Sequence, residues 1–427
     1  MKSPQTKPSC AVPPSSRSLT RTAWLVVALL FPVALLNYMD RQLLAVMKFS
    51  VMGDITDIGT DANWGRMLGQ FKWVYAFFSP IGGYIADRFS RRITICGSLF
   101  AWSVITWITG HVQSYEALLW TRSLMGISEA FYIPAALALI ADYHSGGTRS
   151  RAVGVHQMAI YCGVIIGGFA GHVADAPDLG WRWAFNVCGI IGVIYTFPLI
   201  LWLRDAPKDA SSAAAPGISP LPAAKDLMRN RSFILLLMVF TLPAMAAWVV
   251  RDWMPVILKQ EFNIGQGKAG VTASLYWQLA AIFGALIGGW LADRWMMRGN
   301  RGRIFVSAIG ISLIIPALFG VGNAGSLMVA AGFLALFGFG WGFFDSNNMP
   351  ILTQIVRPEL RATGYGVMNL VSMTCGGLAD WGFGYLRDQA VPLNVVLGLF
   401  ALIPVISVFM LLGIRPMPES SPARVTI

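Results

Sequence analysis

Charge is scarce in this chain. Asp, Glu, Lys and Arg make up 12% of 427 residues, about half the share in an ordinary soluble domain. Cysteine is scarce as well: the five are Cys10, Cys96, Cys162, Cys188 and Cys375, with no C-x-x-C spacing. Four lie within or beside apolar runs, which reads as small packing residues rather than a disulfide framework or metal ligands. The histidines, His111, His144, His156 and His172, have no ligand spacing, so no metal site is expected. A P-loop and a nucleophile–base arrangement are also missing, which argues against an enzyme and against an ATP-driven pump. The short alternating segments of a membrane β-barrel do not occur. The surplus of basic over acidic residues, 32 against 21, does not read as a nucleic-acid surface, because the basic residues cluster in short loops between apolar runs.

Apolar runs are what the chain has in abundance. Hydrophobic residues make up 56% and the mean hydropathy is +0.60. Stretches of about twenty apolar residues recur along the whole length, the signature of membrane-spanning helices. Backbone polar groups must be satisfied internally in lipid, so the spans are expected to be helices. Twelve are read, at 22–47, 64–86, 93–111, 116–140, 150–172, 182–203, 232–258, 270–292, 303–322, 326–349, 361–385 and 391–413. The expected fold is an all-α membrane protein with two six-helix halves, residues 22–203 and 232–413. Residues 1–21 and 414–427 read as tails, the first disordered by its Pro/Ser-rich composition. Residues 204–231, polar and rich in Pro and Ala, read as the linker. The first apolar run has no small-residue cleavage pattern after it, so it is not read as a signal peptide.

Loop charges set the expected orientation. Arg17 and Arg21, the Arg88–Arg92 group, Arg149 and Arg151, the linker, the Arg294–Arg303 group, Arg357, Arg361 and Arg415 fall on one side. By the positive-inside rule that side, with both termini and the linker, is expected in the cytoplasm of a cell inner or plasma membrane. Trp64, Trp181, Trp183 and Trp295 near span ends suggest an interfacial aromatic belt.

Several spans carry charges that a bilayer makes costly. Asp40 and Arg41 sit in LNYMDRQLLAV, Arg122 and Glu129 in LLWTRSLMGISEAF, and Arg251 and Asp252 in AAWVVRDWMPV. Such residues normally face a bundle interior and mark an ion or substrate path. Arg122 and Glu129 are close to two helical turns apart and share a face. Asp40 and Glu129 are candidate proton carriers; the alternative is a permanent ion pair with neighbouring arginines. Arg41, Arg122 and Arg251 are candidates for gripping an anion, since guanidinium offers paired donors to a carboxylate. One division of labour has Arg41 on substrate and Arg122 engaging Glu129. For Arg251 the alternatives are pairing with Asp252 or an outer-surface position. Tyr38, Gln157 and Asn369 suit sugar hydroxyls, or act as helix–helix glue. Lys72 either adds positive charge, snorkels or neutralises a carboxylate.

An internal repeat supports the two halves: GGYIADRFSRR starts at Gly82 and GGWLADRWMMRGNRGR at Gly288. Two parallel six-helix halves around a midplane site is a transporter plan. Gly83-x-x-x-Asp87-Arg88-x-x-Arg91-Arg92 resembles the signature loop of the major facilitator superfamily, with Asp293 in the degenerate second copy. Asn37-Tyr38-x-Asp40-Arg41, the Arg122/Glu129 pair, Arg251-x-Trp253 and Asn369 resemble motifs of its anion:cation symporter branch, which includes galactonate and hexuronate carriers, sialin and the vesicular glutamate transporters. The resemblance implies that Gly83, Asp87, Arg88, Arg91, Arg92 and Asp293 act as a conformational latch rather than touch substrate. Lys72, and Asp345 in FFDSNNMPIL, depart from the branch pattern. The resulting expectation is a monomeric, proton-coupled symporter of an organic anion of sugar-acid type. It would use no cofactor beyond the proton and have the bilayer as its other partner. The alternative is an anion exchanger for phosphorylated sugars.

Overall fold

Polar caps mark where apolar runs enter helix. Thr60, Ser90, Ser114 and Ser326 accept bonds from the N–H groups of Asn63, Ile93, Ala117 and Val329, and Asn230 accepts from Ser232 and Phe233. Each satisfies a donor that a helix start leaves open. The computed structural model describes residues 16–144, 148–206 and 220–416.

Ten of the described helices are long and apolar enough to cross a membrane. They are α1 (Ser16–Val46), α3 (Arg91–Thr109), α4 (Tyr115–Tyr143), α5 (Arg149–Asp175), α6 (Gly180–Trp202), α7 (Arg231–Phe262), α8 (Gln266–Met296), α9 (Gly302–Gly322), α10 (Leu327–Ile355) and α12 (Leu393–Leu412). Two more, α2 (Asp61–Arg88) and α11 (Arg361–Asp388), match them in length but are less apolar. These are the twelve expected spans. α1 begins at Ser16, ahead of the expected 22, because an established helix extends through polar residues at little cost. α4 is interrupted after Glu129 and resumes at Tyr132. Pro134 explains the break: its ring clashes with the carbonyl four residues back, at Ala130.

The linker is not loop throughout. Pro220–Leu227 forms a short helix. Its Ala223 and Leu227 are buried with Phe233, Leu352 and Met368 of the second half, and Arg357 Nη2 bonds Asp226 Oδ2 at 2.6 Å. Trp64 and Trp181 are also core residues, 0% and 4% exposed, rather than members of an interfacial belt; they pack beneath the α1–α2 connection with Val51 and Ile58. Trp183 is exposed as expected.

α2 packs along α11 and α5 along α8, and these two pairs form the seam between halves. Glycines allow the approach. A Cβ on Gly65 would lie 2.3 Å from the Asp380 carbonyl oxygen, and one on Gly384 2.2 Å from that of Asp61. The bundle has a terminal face, where α1 begins and α12 ends, and a far face opposite. At the far face one apolar core contains residues of both halves, among them Leu43, Trp64, Trp253, Phe383 and Leu397. Toward the terminal face the core divides. One cluster holds only first-half residues, such as Val33, Trp102 and Ile140; another holds only second-half and linker residues. The halves are therefore joined at the far face and separate at the terminal face.

Candidate functional site

Neighbouring residues on a helix point to different sides, so Asp40 and Arg41 do not pair with each other. Asp40 turns toward α3, where Thr106 Oγ1 lies 2.9 Å from its Oδ2. Arg41 turns toward α4 and its Nε donates to Glu129 Oε2 at 2.6 Å. Glu129 is 0% exposed and ends the first segment of the broken α4. The Arg41 guanidinium is boxed by Tyr38, Phe71 and Tyr75, whose ring centroids lie 4.8, 4.9 and 5.0 Å away. Such faces favour a cation held out of water.

Arg122 is 3% exposed, and its Nε and Nη2 have no hydrogen-bond partner among the described residues. It acts electrostatically on both Glu129 and Asp40 but bonds neither. The expected roles of the arginines therefore meet a different geometry: Arg41, not Arg122, grips Glu129, and Arg122 is the one with free donors. Arg122 and Glu129 do lie on one uninterrupted helical segment, Tyr115–Glu129, but it is Arg41 of α1 that comes within bonding distance of the carboxylate.

The second half contributes Arg251 and Asp252. The Arg251 guanidinium lies 5.2 Å from the ring centroids of both Tyr38 and Trp248, so it reaches the same aromatic box as Arg41. Its Nε is 4.0 Å from Asp252 Oδ1, a loose contact. Asp252 instead joins Lys72 and Asp380 in a buried cluster in which the Lys72 ammonium contacts both carboxylates. Lys72 thus neutralises carboxylates rather than snorkelling. Asp380, 0% exposed, escaped the sequence reading, although an acid inside the apolar run GGLADWGFGY gives the same signal as Asp40. Arg41, Arg122, Arg251, Lys72 and Asp252 line one cavity of about 30 Å³, large enough to admit water.

Gln157 on α5 and Asn369 on α11 are half-buried and lie nearer the terminal face. Asp345 on α10 is exposed yet acts electrostatically on Tyr161 of α5 and Tyr365 of α11. It lines the space that opens between the halves. Asn37 is buried with both amide atoms unpartnered.

The far face closes over this centre through polar contacts between halves. Asp388 accepts from the N–H groups of Asp61 and Ala62, both at 2.8 Å. Asp175 accepts from Gln266 Nε2 and Gly267 N, each at 3.0 Å. At the terminal face the described polar contacts stay within a half. Arg91 pairs with Asp142, Asp205 accepts from Arg92 N at 2.9 Å, and Asp293 accepts from Arg303 Nη2 at 3.4 Å. Gly83, Asp87 and Arg88 belong to α2, and their side-chain surroundings lie outside the described residues. Among the described residues no group of His, Cys, Asp and Glu could hold a metal.

Two six-helix halves, joined at one face around a buried charged cavity and parted at the other, define a membrane transport protein. The chain belongs to the Major Facilitator Superfamily, whose profile matches residues 30–379. It is 30% identical over 403 residues to Protein spinster of Drosophila melanogaster, covering 90% of this chain but 64% of that protein's length. It is 28% identical over 376 residues to an MFS-type efflux pump of Mycolicibacterium smegmatis, covering 86% of this chain and 85% of the pump. In structure it resembles a bacterial homolog to the human lysosomal transporter spinster, in an inward-facing and occupied conformation. The TM-score is 0.78 at 20% identity, over 92% of this chain and 98% of that one. The protein is therefore a multi-pass membrane transporter rather than an enzyme.

Proposed function

We propose that the chain is a proton-coupled symporter of an organic anion, of the hexonate or hexuronate type, working as a monomer by alternating access. The observation that carries this reading is the buried centre on α1 and α4. There Glu129 is engaged by Arg41 while Arg122 stands beside it with unpartnered donors. An anion entering from the terminal face meets those donors. Arg41 and Arg251 share the Tyr38 box, so an anion held between them draws on both halves. Tyr38, Gln157 and Asn369 offer neutral hydrogen-bonding groups along the same space. Protonation of Glu129 or Asp40 changes what the arginines must balance, and so links proton to substrate. The positive-inside count supports a cytoplasmic terminal face in an inner or plasma membrane; the geometry is then an inward-open state. The latch residues Gly83, Asp87, Arg88, Arg91, Arg92 and Asp293 are assigned to stabilising the opposite state.

The test is uptake of radiolabelled sugar acids into proteoliposomes, with and without an imposed inward proton gradient. Uphill accumulation that needs the gradient, and that Glu129→Gln abolishes while sparing counterflow exchange, supports symport. Gradient-independent exchange that survives Glu129→Gln moves the assignment to an anion exchanger.

A further inference from the structure

Lys72, Asp252 and Asp380 sit where the seam closes, and nothing in the symport reading uses them. Lys72 belongs to α2 of the first half; Asp252 and Asp380 belong to α7 and α11 of the second. Both carboxylates contact the one ammonium, which brings the two acids together. Asp380 is 0% exposed, and its Oδ1 is buried with no hydrogen-bond partner among the described residues. Two carboxylates forced together out of water cannot both stay ionised cheaply. Other charged groups face the cluster from the packed elements. Arg251 of α7 reaches Asp252 Oδ1 at 4.0 Å and does not reach Asp380. Arg41 of α1 and Arg122 of α4 lie across the small cavity, the first engaged with Glu129. Trp248 stacks on Lys72, its ring centroid 4.5 Å from Nζ.

We propose that Asp252 and Asp380, clamped by Lys72, form a second proton-binding site that holds one proton shared between the two acids when the far face is closed. This rests on the alternating-access part of the function proposed above. Opening the far face carries Lys72 away with the first half and lets water reach both acids, which then ionise. Closing gathers them around Lys72 and retains the proton. Acid therefore favours the far-closed state. With the proton in place the buried centre carries an excess positive charge: four cations (Arg41, Lys72, Arg122, Arg251) against three ionised acids among Asp40, Glu129, Asp252 and Asp380. An incoming organic monoanion neutralises that excess, so proton and anion are retained together.

Spin labels at Asp57→Cys and Gln389→Cys, exposed far-face positions on opposite halves, report the gate in a cysteine-free background of the full chain. Their separation is measured by double electron–electron resonance across a pH series. The expected result is a shift toward the short, far-closed distance as the buffer is acidified. Asp380→Asn, which mimics the protonated acid, is expected to hold the short distance at every pH. Asp252→Asn gives the same reading independently, should Asp380→Asn fail to fold. Glu129→Gln is expected to keep the pH response. A parent insensitive to pH overturns the inference, as does a response retained in both Asp variants. A response that only Glu129→Gln removes overturns it as well, while leaving proton coupling at Glu129 intact. Loss of gradient-driven uptake in Glu129→Gln with the gate response unchanged keeps the two proposals separable.

Discussion

A single methyl group placed at the α2–α11 seam should shift the balance of access. In Gly65→Ala the new Cβ lies 2.3 Å from the Asp380 carbonyl oxygen, 2.9 Å from its carbonyl carbon and 3.0 Å from Trp381 Cα. All three are backbone atoms of α11, so no side chain can swing aside and the helices must part. Overpacking of this kind costs about 1 to about 3 kcal/mol. The cost falls on the far-closed state alone, since opening separates α2 from α11. The alanine also improves helix propensity by up to about 1 kcal/mol, but α2 is helical in both states and that gain cancels. The ratio of far-closed to far-open protein should thus fall by about 5-fold to about 150-fold. Gly289→Ala on α8, with nothing within 4 Å of its Cβ, is the control for propensity. Labelling of the Asp57→Cys far-face position by a membrane-impermeant thiol reagent, or the spin-label distance to Gln389→Cys, reads the ratio. Equal accessibility in Gly65→Ala and the parent, with both folded, would refute the claim that backbone contact at this glycine holds the far face shut.

Other perturbations follow from single contacts. Asp388→Ala removes the acceptor for two N–H groups at the start of α2. It should favour far-face opening by about 0.5 to about 2 kcal/mol, read with the same labels. Thr106→Val leaves Asp40 without its hydroxyl partner at 2.9 Å. Leaving a buried polar group without its hydrogen-bond partner costs about 1 to about 3 kcal/mol, so purified protein should melt at a lower temperature. Asp205 accepts from Ser90 Oγ and Arg92 N and caps the start of α3. Asp205→Ala should lower the melting temperature, while Asp205→Asn, which keeps an acceptor, should lower it less. Arg122→Lys keeps the charge but loses the planar fork that a carboxylate fits; sugar-acid uptake should weaken about tenfold or more while the thermal stability of the empty protein holds.

Buried charge at this density is hard to explain as a stabilising device. Burying an ion pair seldom contributes net stability, because desolvation offsets the attraction, yet removing one partner costs about 3 to about 5 kcal/mol. Arg41, Asp40, Arg122, Glu129, Lys72, Asp252 and Asp380 therefore make the empty centre intolerant of single losses. Their placement suits a protein that must rearrange them. Arg41 and Glu129 pair within the first half, whereas the Lys72 cluster crosses the seam and must break whenever the far face opens.

Twelve apolar runs, a polar stretch between the sixth and seventh, and a repeat at Gly82 and Gly288 determine the two-half helical plan, because lipid admits few other ways to satisfy a backbone. Charges inside those runs also mark Asp40, Arg41, Arg122, Glu129 and Arg251, since their insertion cost makes them conspicuous in one dimension. What sequence spacing leaves undecided is partnership. Arg122 and Glu129 share a helical face by count, yet Glu129 bonds Arg41 on another helix. Lys72 finds Asp252 and Asp380, 180 and 308 residues away along the chain, and no local pattern encodes contacts at that range. The state of the molecule is likewise invisible in the sequence. The same residues serve both ends of the transport cycle, and only the packing of α2 on α11 places this structure with its far face closed.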